Sequence, residues 1–202
     1  TILCFTNRGK VFWLKVFQLP QGSRQSRGRP VVNIFPFGDG EKITAILPLR
    51  KYEEGKFIFM ATSNGTVKKV ALESFSRPRT NGLIAIELEE DNELVGVSIT
   101  DGEQDIMLFT SEGKATRFNE GDVRPMGRTA RGVRGVNLSD GARLISLILP
   151  LPEGQILTAS ANGFGKRTLT TEFSTKGRGG KGMIAMRTNE RNGMLVGAVQ
   201  VT

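Results

Sequence analysis

This sequence predicts an all-β fold: a propeller-like β-pinwheel of four-stranded antiparallel blades. Three observations predict it. A hairpin glycine recurs at Gly9, Gly65, Gly113 and Gly163, at spacings of 56, 48 and 50 residues. Each lies in a polar turn between two apolar runs, as in Phe5-Thr-Asn-Arg-Gly-Lys-Val11 and Met60-Ala-Thr-Ser-Asn-Gly-Thr-Val67. A second glycine follows each hairpin by 17 to 19 residues, at Gly28, Gly82, Gly132 and Gly182. Helical periodicity is nearly absent. A repeat of about 50 residues marks an array in which each small sheet cannot bury its faces alone.

Each repeat supplies four strand-like runs. Two are the arms of the hairpin. The third follows the second glycine: Gly28–Ile34, Gly82–Leu88, Gly132–Leu138 and Gly182–Thr188. The fourth closes the unit: Ile43–Leu47, Leu94–Val97, Leu144–Ile148 and Leu195–Val199. All are short and bounded by Gly, Asn or Asp turns. The approximate units are 1–50, 51–100, 101–150 and 151–202, forming one repeat domain. The basic stretches 18–29, 73–81, 119–131 and 171–181 read as loops with room for one helical turn. A β-sandwich is the rival architecture, but it does not require one glycine pattern four times over. A strand pattern begins at Ile2, directly after Thr1, which suggests a fragment of a longer protein.

Composition sets the partner class. The chain of 202 residues carries 28 Lys and Arg against 20 Asp and Glu, a net charge of +8. That balance favours an anionic partner such as nucleic acid, an acidic protein or an acidic membrane, although an excess of this size also serves solubility. The single cysteine, Cys4, forms no internal disulfide and is expected as a small core residue in a reducing, cytoplasmic setting. No apolar run approaches 18 residues, and no signal peptide opens the chain.

The residues for catalysis are missing. With no histidine, Ser-His-Asp and Cys-His chemistry and most zinc sites are excluded. There is no phosphate-binding P-loop; Gly163-Phe-Gly-Lys-Arg167 is a hairpin leading into a strand. The acidic run Glu87–Glu93 lacks metal-ligand spacing and reads as a solvated loop. Tyr52, the only tyrosine, sits in a loop where packing is expected rather than nucleophilic attack. No catalytic residue, metal ligand or cofactor site is therefore expected here.

The cations are patterned. One set lies between each hairpin and the third strand: Arg24, Arg27 and Arg29; Arg77 and Arg79; Arg124, Arg128, Arg131 and Arg134; Lys176, Arg178 and Lys181. A second set lies on the outgoing hairpin strands: Lys10 and Lys15; Lys68 and Lys69; Lys114 and Arg117; Lys166 and Arg167. Four residues after each hairpin glycine stand Trp13, Lys69, Arg117 and Arg167, so three of the four units place a cation at one equivalent point. Rotation of blades would turn that point into a belt. Guanidinium groups bind phosphate bidentately, and adjacent glycines let backbone N–H groups approach it. The units differ in net charge: +6 over 1–50, −2 over 51–100, zero over 101–150 and +4 over 151–202. The first and last units are expected to grip DNA hardest. With few aromatics among the cations and no recognition helix, the expected mode is contact with the duplex backbone and sequence-tolerant bending.

Several strings resemble a known family. Ile2-Leu-Cys-Phe-Thr-Asn-Arg-Gly-Lys-Val-Phe-Trp-Leu-Lys-Val-Phe-Gln-Leu-Pro20, Arg27-Gly-Arg-Pro-Val-Val-Asn33 and Ile43-Thr-Ala-Ile-Leu-Pro48 are similar to the C-terminal domain of bacterial DNA gyrase A. So are Met60-Ala-Thr-Ser-Asn-Gly-Thr-Val-Lys-Lys69, Val133-Arg-Gly-Val136 and Asn162-Gly-Phe-Gly-Lys-Arg-Thr168. The likeness covers essentially the whole chain; the related component of topoisomerase IV is a weaker match. It implies a β-pinwheel, usually of six blades, with a strand exchanged between neighbours and DNA wrapped on a basic outer rim. It also implies that the partners are double-stranded DNA, the gyrase A cleavage core and gyrase B. In that family of type IIA topoisomerases ATP, Mg²⁺ and the catalytic tyrosine act elsewhere in the holoenzyme, and the outcome is negative supercoiling. The family's Q-R-R-G-G-K-G box belongs to a first blade, whereas here Lys176-Gly-Arg-Gly-Gly-Lys-Gly182 echoes it in unit four. The chain reads as blades two to five. An alternative from the residues alone is a propeller scaffold whose arginines face an acidic protein; an enzyme on a propeller lacks a convincing residue set.

Overall fold

The computed structural model describes residues 1–201. Among the described residues, fifteen strands run in the order β1 (Ile2–Thr6), β2 (Lys10–Leu14), β3 (Ile43–Pro48), β4 (Phe57–Thr62), β5 (Thr66–Ala71), β6 (Leu83–Ile84), β7 (Leu94–Thr100) and β8 (Asp105–Thr110), followed by β9 (Lys114–Asn119), β10 (Val133–Arg134), β11 (Leu144–Ile148), β12 (Gln155–Ser160), β13 (Gly165–Leu169), β14 (Met183–Ile184) and β15 (Leu195–Val201). They form four antiparallel sheets, ordered β3-β1-β2-β6, β7-β4-β5-β10, β11-β8-β9-β14 and β15-β12-β13.

The sheets are not closed within single repeats. The outermost strand of each of the first three sheets comes from the next repeat. Leu83 pairs with Val11, Val133 with Val67 and Met183 with Ala115. The four strands per repeat expected from sequence are thus shared between neighbouring blades. One expected strand is corrected. Residues 28–34 form no strand; Val31–Asn33 is a 3-10 turn. Its counterparts pair with a preceding blade, and no blade precedes this repeat among the described residues. Phe35 and Phe37 turn onto the blade's own face instead, with ring centroids 5.1 and 5.3 Å from Phe12. Cys4 joins this cluster, and burial pushes its thiol up to about 11.

Period-two alternation explains why the hairpin strands are buried on both faces. In β4, Ile58 and Met60 enter the core shared with Leu3, Phe5 and Phe75 of the first junction. Phe59 and Ala61 face the other way, into the core shared with Leu108, Phe118 and Val123. The third junction joins Met107 and Phe109 to Ile156 and Phe173. These three cores lie between blades, whereas the Cys4–Phe12–Phe35 cluster belongs to the first repeat alone. β3, β7, β11 and β15 pack on one another in turn. They are the inner strands, and β6, β10 and β14 stand at the outer edges.

The hairpin glycine is needed twice over. Gly113 has φ +79°, and a Cβ there would meet the carbonyl oxygen of Met186 at 2.0 Å. The approach is close because the Gly113 carbonyl accepts from the N–H groups of Ala185 and Met186, at 2.9 and 3.1 Å. Gly9 accepts likewise from Ala85 and Ile86, and Gly65 from Gly135 and Val136. Each glycine thereby receives the strap that brings in the next repeat's strand.

A 3-10 turn follows every hairpin, at Val16–Gln18, Leu72–Phe75, Glu120–Asp122 and Thr170–Glu172. The preceding blade covers the last three. Leu72 and Phe75 are buried, but Val16 and Leu19 at the same places in the first repeat are 61 % and 41 % exposed.

Candidate nucleic-acid interface

In the second, third and fourth repeats, the residues from the end of the 3-10 turn through the exchanged strand, as far as the bonds to the preceding hairpin glycine, form a strap along the outgoing hairpin strand of the preceding blade. The backbone anchors it: Met126 N donates to Lys69 O at 2.9 Å, and Lys176 N donates to Arg117 O at 2.8 Å. Gly and Pro keep the straps irregular, and their polar side chains point to solvent. The straps carry the first cation set. Arg77 and Arg79 are exposed on the strap over the first blade, Arg124, Arg131 and Arg134 on that over the second, and Lys176, Arg178 and Lys181 on that over the third, with Arg128 half-buried. Arg24, Arg27 and Arg29 lie in an exposed segment of the first repeat; Lys15 is exposed just after β2, its Nζ donating to the Thr1 hydroxyl at 3.1 Å. Lys166 and Arg167 are exposed on β13, the outer edge of the fourth sheet; Lys10 is half-buried.

Two of the strap groups are already engaged. Arg178 donates from Nε to Asp122 O and from Nη1 to Arg134 O, both at 3.0 Å, tying the third-blade strap to the one before it. Arg131 stands 3.6 Å from the Glu89 carboxylate, with both side chains more than 70 % exposed. Such an exposed pair is weak and yields readily to a competing phosphate.

The second cation set requires a correction. Lys68 and Lys69 are buried, and Arg117 is half-buried; none of the three faces the rim. The point four residues after the glycine lies beneath the strap and feeds a donor to the next repeat. Trp13 Nε1 donates to Phe75 O at 3.0 Å and to the Tyr52 hydroxyl at 3.1 Å. Lys69 Nζ donates to Glu120 O at 2.9 Å and lies 3.6 Å from the Glu120 carboxylate and 5.1 Å from the centre of the Phe57 ring. Arg117 Nη1 donates to Thr170 O and Phe173 O at 3.0 and 3.2 Å, while its Nε pairs with Asp105 at 2.8 Å. The equivalent point is a staple between blades, because the carbonyls of each buried 3-10 turn need a donor. Lys114 pairs with Glu112 at 2.9 Å.

Other exposed cations lie near the hairpin tips, outside the straps. Arg8 directly precedes Gly9. Lys42 and Arg143 directly precede the closing strands β3 and β11, with Glu93 at the same place before β7. Arg191 lies 4.9 Å over the Phe164 ring. Their sequence signal is weak because the sign of the charge at these places changes between repeats. No helix among the described residues is long and apolar enough to cross a membrane.

The comparisons with known proteins converge. A family model described as the DNA gyrase C-terminal domain, beta-propeller, matches residues 1–50, 56–101, 104–150 and 154–202. DNA gyrase A of Salmonella typhimurium is 55 % identical over 201 residues, spanning all of this chain and 23 % of that protein. DNA gyrase A of Escherichia coli K12 is 54 % identical over 200 residues, with 99 % and 23 % covered. The chain thus spans about a quarter of the length of these relatives. Among solved structures, the C-terminal domain of DNA topoisomerase IV superposes with a TM-score of 0.90 at 31 % identity, covering all of this chain and 63 % of that one. The DNA gyrase A C-terminal domain superposes at 0.83 with 22 % identity, covering 100 % and 65 %, a likeness that speaks to fold. Repeated blades, exchanged outer strands and the match along all four repeats lead to one conclusion: the chain belongs to the DNA gyrase C-terminal domain family.

Proposed function

We propose that this chain binds double-stranded DNA without sequence preference and bends it around the outer edges of its blades. In this reading it is the DNA-wrapping part of a gyrase A protein in the bacterial cytoplasm. The wrap delivers a crossover to the gyrase A cleavage core, and gyrase B hydrolyses ATP. No step of the strand-passage chemistry is assigned to this chain. The observation that carries the reading is the placement of the straps. On successive blades each runs along the outgoing hairpin strand, supplies the outermost strand beside it and exposes two or more guanidinium or ammonium groups.

Smooth bending of a duplex of 20–30 base pairs costs on the order of several kcal/mol, which many phosphate contacts together offset. The DNA contacts proposed are Arg24, Arg27, Arg29, Arg77, Arg79, Arg124, Arg128, Arg131, Arg134, Lys176 and Lys181. Lys10, Lys15, Lys166 and Arg167 extend them, and Arg178 orients its strap. The straps also fit an acidic protein, so the test must separate the two. Titration with short and long duplexes at two salt concentrations is expected to show preference for the longer duplex beyond its extra sites. Affinity is expected to fall by roughly 10³ between 50 and 200 mM salt. Binding indifferent to duplex length would favour the protein scaffold.

A further inference from the structure

We propose that Lys68, buried beneath the rim, is a positioning residue for DNA binding, holding the strap of residues 124–134 in the geometry that presents its arginines. The inference rests on the DNA reading above.

Lys68 lies on β5, paired with Met60 of β4. It is fully buried. Its Nζ donates to the Ala85 carbonyl at 2.9 Å and also to the Arg128 carbonyl. Ala85 belongs to the segment that follows β6 and joins the second repeat to the first blade. Arg128 is in the middle of the strap that the third repeat lays over the second blade. One ammonium therefore fastens two successive straps at their backbones.

The other anchors of this strap lie on either side of that point. Met126 N is bonded to Lys69 O, and Gly135 N to Gly65 O. Between them stand Arg128 and Arg131, and the Arg128 carbonyl bonded to Lys68 fixes the path. The remaining repeats place other residues three positions after the hairpin glycine: Phe12 and Thr116, both buried, and Lys166, which is exposed. Among the described residues, only this strap is fastened from below by a lysine at that position. It is also the strap richest in arginine.

A buried ammonium bonded to two carbonyls does not reach a phosphate. Its effect on DNA passes through the strap. Burial lowers the Lys68 pKa to about 8, with Glu87 opposing the shift and Arg128 adding to it. Deprotonation weakens charge-assisted bonds to both carbonyls. Because the folded pKa lies below the usual lysine value, the folded chain binds fewer protons than the unfolded chain between about pH 8 and 10.5. Stability contributed by this group therefore rises with pH across that window, whereas hold on the strap declines. Arginine contacts keep their charge throughout. Opposite trends in stability and strap order are not expected of a residue that only fills the core.

The test uses Lys68→Met, which keeps an unbranched chain and removes the donors. Binding of the long duplex is measured across salt concentrations, with hydrogen exchange read at residues 127–131. The expected result is a loss of about tenfold in affinity at low salt, a salt slope shallower by about two phosphate equivalents, and faster exchange in the strap. Wild-type slope and affinity in the folded variant would overturn the inference. If the variant does not fold, the wild-type protein decides. Exchange at 127–131 should quicken between pH 7 and 9 relative to residues 77–81, after correction for the intrinsic pH dependence of exchange, and parallel behaviour of the two straps would overturn the proposal. Absence of DNA binding by the wild-type protein would instead remove the functional reading on which it rests.

Discussion

Glu120→Ala is expected to destabilise the protein by about 3–5 kcal/mol, the scale for removing one member of a buried charge pair. Glu120 is fully buried where the second blade meets the third. One carboxylate oxygen accepts from the Thr100 hydroxyl at 2.7 Å, and the other accepts from the N–H groups of Gly102 and Gln104 at 2.9 and 3.0 Å. The backbone carbonyl of Glu120 takes the Lys69 ammonium. Truncation leaves three donors without their acceptor and a buried ammonium without its counter-charge, and each unsatisfied buried group carries a penalty. For a domain of this size the loss corresponds to a fall of roughly 10 °C in Tm, measured by calorimetry. A Tm within about 2 °C of wild type, which by that scaling is less than about 1 kcal/mol, would show that the staple at this junction contributes little.

Arg131→Ala combined with Arg134→Ala is expected to act on DNA rather than on folding. Both side chains are exposed on the strap over the second blade. Loss of two of the proposed phosphate contacts should lower affinity by about tenfold at low salt and flatten the salt slope by about 1.8. Thermal stability should stay near that of wild type, since the Arg131–Glu89 pair is solvent-exposed. Fluorescence anisotropy with a labelled duplex, alongside a melting curve, checks both halves. Unchanged affinity would remove this strap from the DNA path.

Much of this arrangement is legible in the sequence, for identifiable reasons. Gly9, Gly65 and Gly113 are visible because a tight turn and a close backbone approach both demand glycine. The strands are visible because their apolar runs fill two junctions. The straps are visible because exposed chain collects arginine, glycine and proline. The side of the hairpin strand that faces outward is harder to read. Lys68, Lys69 and Arg117 look like rim cations by charge, yet they donate inward to carbonyls. Trp13 is the clue, since indole, ammonium and guanidinium share only the ability to donate an N–H. A slot that accepts all three calls for a donor, not for a positive charge. Ownership of the outer strands is hidden from the repeat pattern alone, and only the family resemblance implied the exchange, because Leu83–Ile84 pairs with a neighbour rather than with its own hairpin. The fate of Val31–Asn33 depends on whether a sheet edge lies beside it, which local sequence does not encode.

Under the proposed function, cationic straps on adjacent blades act together to curve one duplex. Relaxing a closed circular plasmid with a type I topoisomerase in the presence of rising concentrations of this protein, then resolving the deproteinised topoisomers, tests it directly. A shift of mean linking number in one direction, growing with protein and suppressed in high salt, is the predicted result. An unchanged topoisomer distribution at protein concentrations that saturate the plasmid would contradict it.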